Sequence, residues 1–341
     1  MLDVMAQCRA VRENVGLLDR SEIGKLAIFG PDRYTWLQGM VSNDTRRLEQ
    51  GAPSLPACIL TPTGHVLTDL TLINVVGENP LAPALGLPAP DFVLAVLPRE
   101  NAEKIATFLD RYIIMEEVEL RDVSEAIGCF SLQGPHAAEL WQSLAGRMGD
   151  RVVVVEADPT GSGGLDLYFP SAEREAGRSA LLGTGAAEVG PEAQEILRVE
   201  AGIPRYGAEL DESVIALEAN LGPTHISLTK GCYIGQEIIA RIDSRGHTNR
   251  ALTGLLITGE AVPAPGARLY PLPTSGESAP RDVGRITSVV ASSPAMGGRP
   301  IALGYVRHEQ RAPGTPLRAG EAPAAPTVEV VELPFYRRPA S

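Results

Sequence analysis

The octet Lys230-Gly231-Cys232-Tyr233-Ile234-Gly235-Gln236-Glu237 sets a thiol close to an ammonium group and between glycines. Downstream, Ile234, Ile238 and Ile242 fall at i, i+4 and i+8, one face of a helix that Gly246 is placed to end. A cysteine at a helix N-terminus next to a lysine is expected to have a lowered pKa and more thiolate, the form that attacks electrophiles and binds metals. The other reading of Cys232 is a small buried residue at a loop-to-helix join. Lys230, Arg241, Arg245, His247 and Arg250 cluster around the octet. They read either as a pocket for an anionic ligand or as solvated charges on a helix and loop.

Two carboxylates invite the same question. The pattern predicts a helix over Glu192–Ala201, entered by Pro191 and closed by Gly202 with Pro204 beyond. Glu200 lies on the face of that helix that carries Ala193, Ile196 and Leu197. A carboxylate on a buried face must find a partner or change its pKa. Arg198 or Arg205 would serve, as would the donor edge of a ligand. Asp69 ends the run Gly64-His65-Val66-Leu67-Thr68-Asp69. Strand alternation puts it on one face with Leu67, Thr71 and Ile73, and on residues alone it reads as a strand-end carboxylate paired with an arginine.

These groups need a scaffold, and the chain has ample material for one. Its 341 residues are 44% hydrophobic, and the mean hydropathy of +0.01 is that of a soluble globular chain. The net charge of −12 argues against a general nucleic-acid-binding surface and against stable nucleic-acid binding. Cys8, Cys58, Cys129 and Cys232 form no C-x-x-C pair and read as reduced thiols of a cytoplasmic protein. The five histidines make no metal motif, so no metal site is legible. Residues 1–20 carry no signal-peptide pattern, and the apolar stretch Leu81–Pro98 is broken by Pro83, Pro88, Pro90 and Asp91, so no membrane span is expected.

Along the chain, a helix in residues 1–20 leads to a strand at Lys25–Phe29, Gly30-Pro31-Asp32 and a helix at Arg33–Val41. A strand at Cys129–Gln133, Gly134-Pro135 and a helix carrying Leu140, Trp141 and Leu144 repeat that arrangement. Proline is favoured at a helix start, and two such units suggest an internal repeat. Between them lie strands at Ala57–Thr61, His65–Val75 and Phe92–Leu97, a helix at Arg99–Arg111 and a strand at Glu116–Arg121. Residues 151–155 and Leu165–Phe169 read as strands, and Gly183–Gly190 as a loop without a dinucleotide fingerprint. Beyond Ala251, short strands at Leu252–Thr258, Gly284–Val290, Ile301–Arg307 and Thr327–Leu333 alternate with Pro/Gly loops, which suggests a small barrel. The loops Pro263–Pro280 and Ser292–Arg299 read as flexible.

The octet resembles the signature of the YgfZ family, a branch of the glycine-cleavage T-protein (aminomethyltransferase) superfamily. Gly30, Asp32, Leu37, Asn43 and Asp44 resemble the N-terminal pattern of that group. Arg198-Val199-Glu200-Ala201-Gly202, followed by Tyr206-Gly207, resembles its Arg-x-Glu-Ala-Gly segment. The resemblance implies an α+β fold of three lobes arranged as a ring, with folate in the central hole. It implies a split α+β domain over 1–50 and 125–248, an inserted α+β domain over 51–124 and a C-terminal β-barrel over 249–341. Glu200 would then bind the pterin, with Asp69 at the folate chemistry, Tyr206 beside them and Arg241 as a cation for the folate's glutamate tail. Cys232, Lys230 and Asp69 would carry any catalysis.

The chain also departs from the T-proteins. Those commonly carry two adjacent aspartates where this chain has Thr68-Asp69. Their Gly-Tyr-Thr-Gly-Glu segment corresponds to Gly161-Ser162-Gly163-Gly164-Leu165, and the cysteine octet replaces their aromatic-Ile-Gly-Arg segment. These departures favour the YgfZ branch. That branch implies a protein that binds tetrahydrofolate or a one-carbon-substituted folate and supports iron–sulfur enzymes, including tRNA-modifying ones, or cluster-assembly proteins. The alternatives are an aminomethyltransferase that passes a one-carbon unit to tetrahydrofolate, and a non-catalytic binding scaffold.

Overall fold

Two glycine-proline corners begin the two halves of the N-terminal architecture. Gly30 and Gly134 both hold positive φ, +111° and +131°. A Cβ on Gly30 would stand 2.0 Å from the Glu117 carbonyl oxygen, and one on Gly134 2.2 Å from that of Asn14. Only glycine tolerates both the dihedral and the close approach. Each corner turns a fully buried strand into a helix, Arg33–Met40 in one unit and Ala137–Met148 in the other. The repeat suggested by the sequence is therefore a repeat in space.

The structure, a computed structural model, describes residues 3–259, 261–272, 281–322 and 324–338. Helix Val4–Glu13 opens the chain, followed by β1 (Gly16–Asp19), β2 (Gly24–Phe29), β3 (Ser54–Leu60), β4 (Val66–Val75), β5 (Phe92–Leu97) and β6 (Glu119–Asp122). Then come β7 (Ile127–Gln133), β8 (Val153–Glu156), β9 (Gly164–Pro170) and β10 (Ala187–Val189). The C-terminal strands are β11 (Arg250–Ile257), β12 (Arg268–Pro271), β13 (Gly284–Val290), β14 (Ile301–Arg307), β15 (Pro316–Ala319) and β16 (Thr327–Val331). One sheet has the order β10-β1-β7-β9-β8 and a second the order β3-β4-β5-β2-β6. The last six strands close a barrel in the order β11-β14-β13-β12-β15-β16. The architecture is thus mixed α and β, with two sheet-based lobes and a C-terminal barrel. Among the described residues, no helix is long and apolar enough to cross a membrane.

The sequence reading put residues 1–50 in the first lobe. In the structure β2 pairs with β5 and β6, so Gly24–Phe29 lies inside the second sheet. Helix Arg33–Met40 follows it there, since Trp36 and Leu37 join the core formed by Leu26, Leu55, Ala57 and Ile59. The chain crosses to the second lobe soon after β1. Short elements escaped the sequence reading: β1, β12 and β15 have four residues each, and β10 has three, within the stretch read as a loop. Helix Arg174–Leu182 was also missed. Of the loop Pro263–Pro280, residues 273–280 lie outside the described residues. The loop Ser292–Arg299, read as flexible, contains a 3-10 turn at Pro294–Met296 and the fully buried Ser293.

One apolar cluster joins all three lobes. It takes Cys8, Val11 and Leu18 from the N-terminal segment, and Cys58, Leu60 and Val66 from β3 and β4. Helix Pro191–Glu200 gives Ala193, Ile196 and Leu197, and the barrel gives Leu252, Leu303 and Tyr305. Ile239, on helix Gln236–Arg245, completes the contact with the segment that carries the cysteine octet.

Candidate functional site

Asp69 sits on β4 directly opposite Cys58 of β3. A register shift between Ile59 and Leu60 decides which way it faces, because Ile59 pairs with Thr68 but Leu60 pairs with Val66. Leu67 is the extra residue of this bulge, and simple alternation fails across it. Leu67 therefore turns into the core of the second lobe with Ala57 and Ile59. Asp69 shares a face with Cys58, Leu60 and Val66, toward the three-lobe junction. The expected face-mate Leu67 is on the other side.

Among the described residues, no arginine pairs with this carboxylate, and its Oδ1 is enclosed without a hydrogen-bond partner, although the side chain as a whole is only half-buried. Desolvation, with a further push from Glu100, raises its pKa from 3.8 to about 6. Thr68, at the position where T-proteins carry a second aspartate, points the other way. It is fully buried and accepts a hydrogen bond from Asn101 Nδ2 at 3.2 Å.

The polar groups around Asp69 come from two segments. Glu100 lies in the 3-10 turn Arg99–Asn101, ahead of helix Ala102–Asp110. A Cβ on Gly207 would stand 3.8 Å from its carboxylate oxygen. Tyr206, next in the chain, is half-buried against the central cluster and lies near Lys104, which pairs with Glu212. The structure thus brings Asp69 and Tyr206 into one neighbourhood through Glu100 and Lys104, which sequence reasoning did not single out. Their signal was weak: Glu100 stands in the turn that enters the helix and Lys104 in its first turn, ahead of the core residues Ile105 and Leu109.

Glu200 is occupied. Its side chain is fully buried, as the helix face required. One carboxylate oxygen pairs with Arg12. The other accepts from Ser293 Oγ at 2.5 Å and from the Ala295 amide at 3.0 Å. Arg12 in turn lies 4.5 Å over the ring of Tyr336. The local partners expected from sequence serve elsewhere, since Arg198 binds Glu195, Glu209 and Ser288 and Arg205 lies near Glu195. Glu200 thus fastens the N-terminal helix to a barrel loop, with both oxygens engaged.

The octet is arranged differently from its sequence reading. The helix begins at Gln236 behind an N-cap at Gly235, so Cys232 lies in the preceding irregular stretch, outside the first turn. The Lys230 ammonium donates to the carbonyls of Gln38, Val41 and Asn43 at 2.7, 2.6 and 2.8 Å. Desolvation lowers its pKa to about 8, and it lies 5.0 Å from the centre of the Tyr233 ring. All three of its donors are spent on closing the end of helix Arg33–Met40. Neither feature invoked to activate the thiol is aimed at it. Cys232 is nonetheless the exposed cysteine, while Cys8, Cys58 and Cys129 are buried.

The loop is laid across the β3–β4 hairpin. A Cβ on Gly235 would meet the Thr61 carbonyl oxygen at 2.4 Å, and one on Gly64 would meet Ile238 Cβ at 2.7 Å. Tyr233 packs against the central cluster, and burial together with the nearby Cys58 raises its pKa to about 12. A short path therefore runs from Cys232 through Tyr233 and Cys58 to Asp69. The proposed basic pocket does not assemble. Lys230 turns inward, Arg250 pairs with Glu218, and Arg241, Arg245 and His247 stand exposed. Cavities of about 310 to 500 Å³ occur at other places in the fold, and Asp69, Glu200, Tyr206 and Cys232 do not line them.

Residues 2–230 match the GCVT N-terminal domain, and residues 250–337 match the glycine cleavage T-protein C-terminal barrel domain. The chain belongs to the glycine cleavage T-protein family. An aminomethyltransferase of Rubrobacter xylanophilus is 31% identical, over 98% of this chain and 87% of its own length. One of Saccharopolyspora erythraea is 30% identical, over 98% and 90%. The crystal structure of glycine cleavage system aminomethyltransferase T from Bartonella henselae has a TM-score of 0.82 at 22% identity, covering 98% of this chain and 90% of that one. That likeness extends over both sheets and the barrel of this T-protein family member.

Proposed function

We propose that this chain binds a reduced folate at the face of β4 that carries Asp69 and acts there in the transfer of a one-carbon unit, as an aminomethyltransferase. The observation that carries this reading is the enclosed, unpartnered Oδ1 of Asp69, with a pKa of about 6. A buried acceptor without a donor costs stability and is retained where a ligand supplies the donor. Tetrahydrofolate presents N–H donors that suit it, and when bound it supplies the nitrogen that receives the one-carbon unit. With a pKa near neutrality, Asp69 holds a proton part of the time and gives or takes it as an acid or base. Glu100 is the charged neighbour that acts on it, with Gly207, next to Tyr206, close to Glu100. Glu200 acts as a structural tie, because both its oxygens already have donors.

The test is ammonia release from an aminomethylated lipoyl carrier protein in the presence of tetrahydrofolate. Turnover that is lost in Asp69→Asn, with saturable folate binding retained in the wild type, supports transfer. Full turnover by Asp69→Asn would end the role given to that residue.

One observation favours a second reading, in which the protein belongs to the YgfZ branch and supports the assembly or repair of iron–sulfur enzymes, including tRNA-modifying ones. Cys232 is exposed, in a loop seated on the same hairpin as Asp69. Thr68 also stands where the second aspartate of T-proteins would be. In this reading the thiol transiently engages a client or cluster-assembly partner. Absence of ammonia release, together with loss of complementation in Cys232→Ala, would select it over aminomethyl transfer.

A further inference from the structure

We infer that the outer wall of the barrel holds a site for a small polyanion carrying two or more phosphate or carboxylate groups. Four arginines, Arg250, Arg268, Arg285 and Arg307, line a cavity of about 310 Å³ there, against one carboxylate, Asp282. They come from four neighbouring strands in the order β11-β14-β13-β12. In register, Arg250 stands directly opposite Arg307, and Arg268 directly opposite Arg285. Arg285 also faces Tyr305, two residues from Arg307 on the same side of β14.

Like charges placed directly across a ladder are destabilising. Two such pairs side by side are a poor structural choice unless something neutralises them. Composition does not force the arrangement, because the chain has 42 acidic against 30 basic residues. The nearby carboxylates are already engaged. Glu218 pairs with Arg250 at 3.0 Å, Asp282 pairs with Arg268 at 2.8 Å, and Asp211 accepts both donors of Ser213 while also feeling the charges of Arg285 and Arg250. Among the described residues, Arg285 and Arg307 have no direct ion pair, and Arg285 meets Asp211 only at longer range.

The paired arginines form fixed walls. Arg250 also donates to the Ser213 carbonyl at 2.9 Å and lies 4.9 Å from the centre of the Tyr305 ring. The unpaired ones offer two guanidinium forks to the same cavity, and such forks bind phosphate or carboxylate through paired N–H donors. Asp69, Tyr206 and Lys104 do not line this cavity, so this site does not depend on the folate reading.

Calorimetric titration of the full chain at low salt, with inorganic triphosphate and separately with citrate, tests the site. One saturable binding event is expected, weakened about tenfold or more by Arg285→Gln and by Arg307→Gln, and weakened by added salt. Tighter binding of triphosphate assigns the site to phosphates, and tighter binding of citrate assigns it to carboxylates. Without either probe, each variant should melt at a higher temperature than wild type at low salt, because a like-charge contact is removed. No saturable binding of either probe at millimolar concentration would overturn the inference. So would unchanged affinity in both variants, or a lowered melting temperature in both, which would make the arginines structural.

Discussion

Replacing Asp69 with asparagine should make the protein more stable at alkaline pH while abolishing its function. The carboxyl is raised from 3.8 to about 6 chiefly by burial, with Oδ1 unpartnered. An acid with a raised pKa in the fold favours the protonated form. Its contribution is therefore fully present below pH 3.8 and is lost as pH rises through about 6. At about 1.4 kcal/mol for each pH unit, the loss at pH 8 has an upper limit of about 3 kcal/mol. Solvent at the open side of the half-buried side chain reduces this, so a gain of about 2 kcal/mol is expected for Asp69→Asn. Urea denaturation of both proteins from pH 4 to pH 8 measures it. The stability difference should be largest at pH 8, shrink as pH falls below about 6 and be small by pH 4. A variant less stable than wild type at pH 8, or a difference that does not change with pH, would mean that the carboxylate has a stabilising partner. The role assigned to it would then fail.

Four further outcomes are expected. Glu200→Ala should cost roughly 3–5 kcal/mol in denaturant unfolding, since it strands the largely covered Arg12 and removes the acceptor of Ser293 and Ala295. The double variant with Arg12→Ala should recover part of that loss. In the native protein iodoacetamide should modify Cys232 alone, and urea should expose Cys8, Cys58 and Cys129 as well, because burial shields those three and raises their pKa. Cys232→Ser should leave stability within about 0.5 kcal/mol of wild type in thermal melts. Gly235→Ala should destabilise by roughly 1–3 kcal/mol, since φ is +83° and the added Cβ would meet the Thr61 carbonyl oxygen at 2.4 Å. Unchanged unfolding of that variant would show that the helix is not seated on the hairpin as described.

The sequence made the regular elements legible where their patterns were long. β5, β13 and β14 fall at the expected residues, and both glycine-proline corners turn strand into helix. It also showed that Glu200 had to be buried. It could not identify the partner, because Arg12 is 188 residues away and the Ser293–Ala295 loop belongs to another lobe. Asp69 was legible as a carboxylate on a strand, but its orientation depends on the one-residue bulge at Leu67, which has no glycine or proline to mark it. Lys230 and Cys232 were read as a chemical pair because they are close in sequence. The lysine's three carbonyl partners, from the end of a helix and the turn after it nearly two hundred residues upstream, separate their roles. The four-arginine wall was invisible because its members are scattered over β11 to β14 and meet only when the barrel closes.

The apolar cluster shared by the two sheets and the barrel makes the lobes inseparable. A chain ending before residue 249 would strip β13 and β14 from helix Pro191–Glu200 and the barrel's share from the apolar cluster that holds Ala193, Ile196 and Leu197, and would free Glu200 from two of its donors. Proteolytic excision or recombinant expression of the front portion by itself should therefore yield an aggregating fragment. Any evolutionary exchange of the barrel would have to carry the matching surface of helix Pro191–Glu200 along with it.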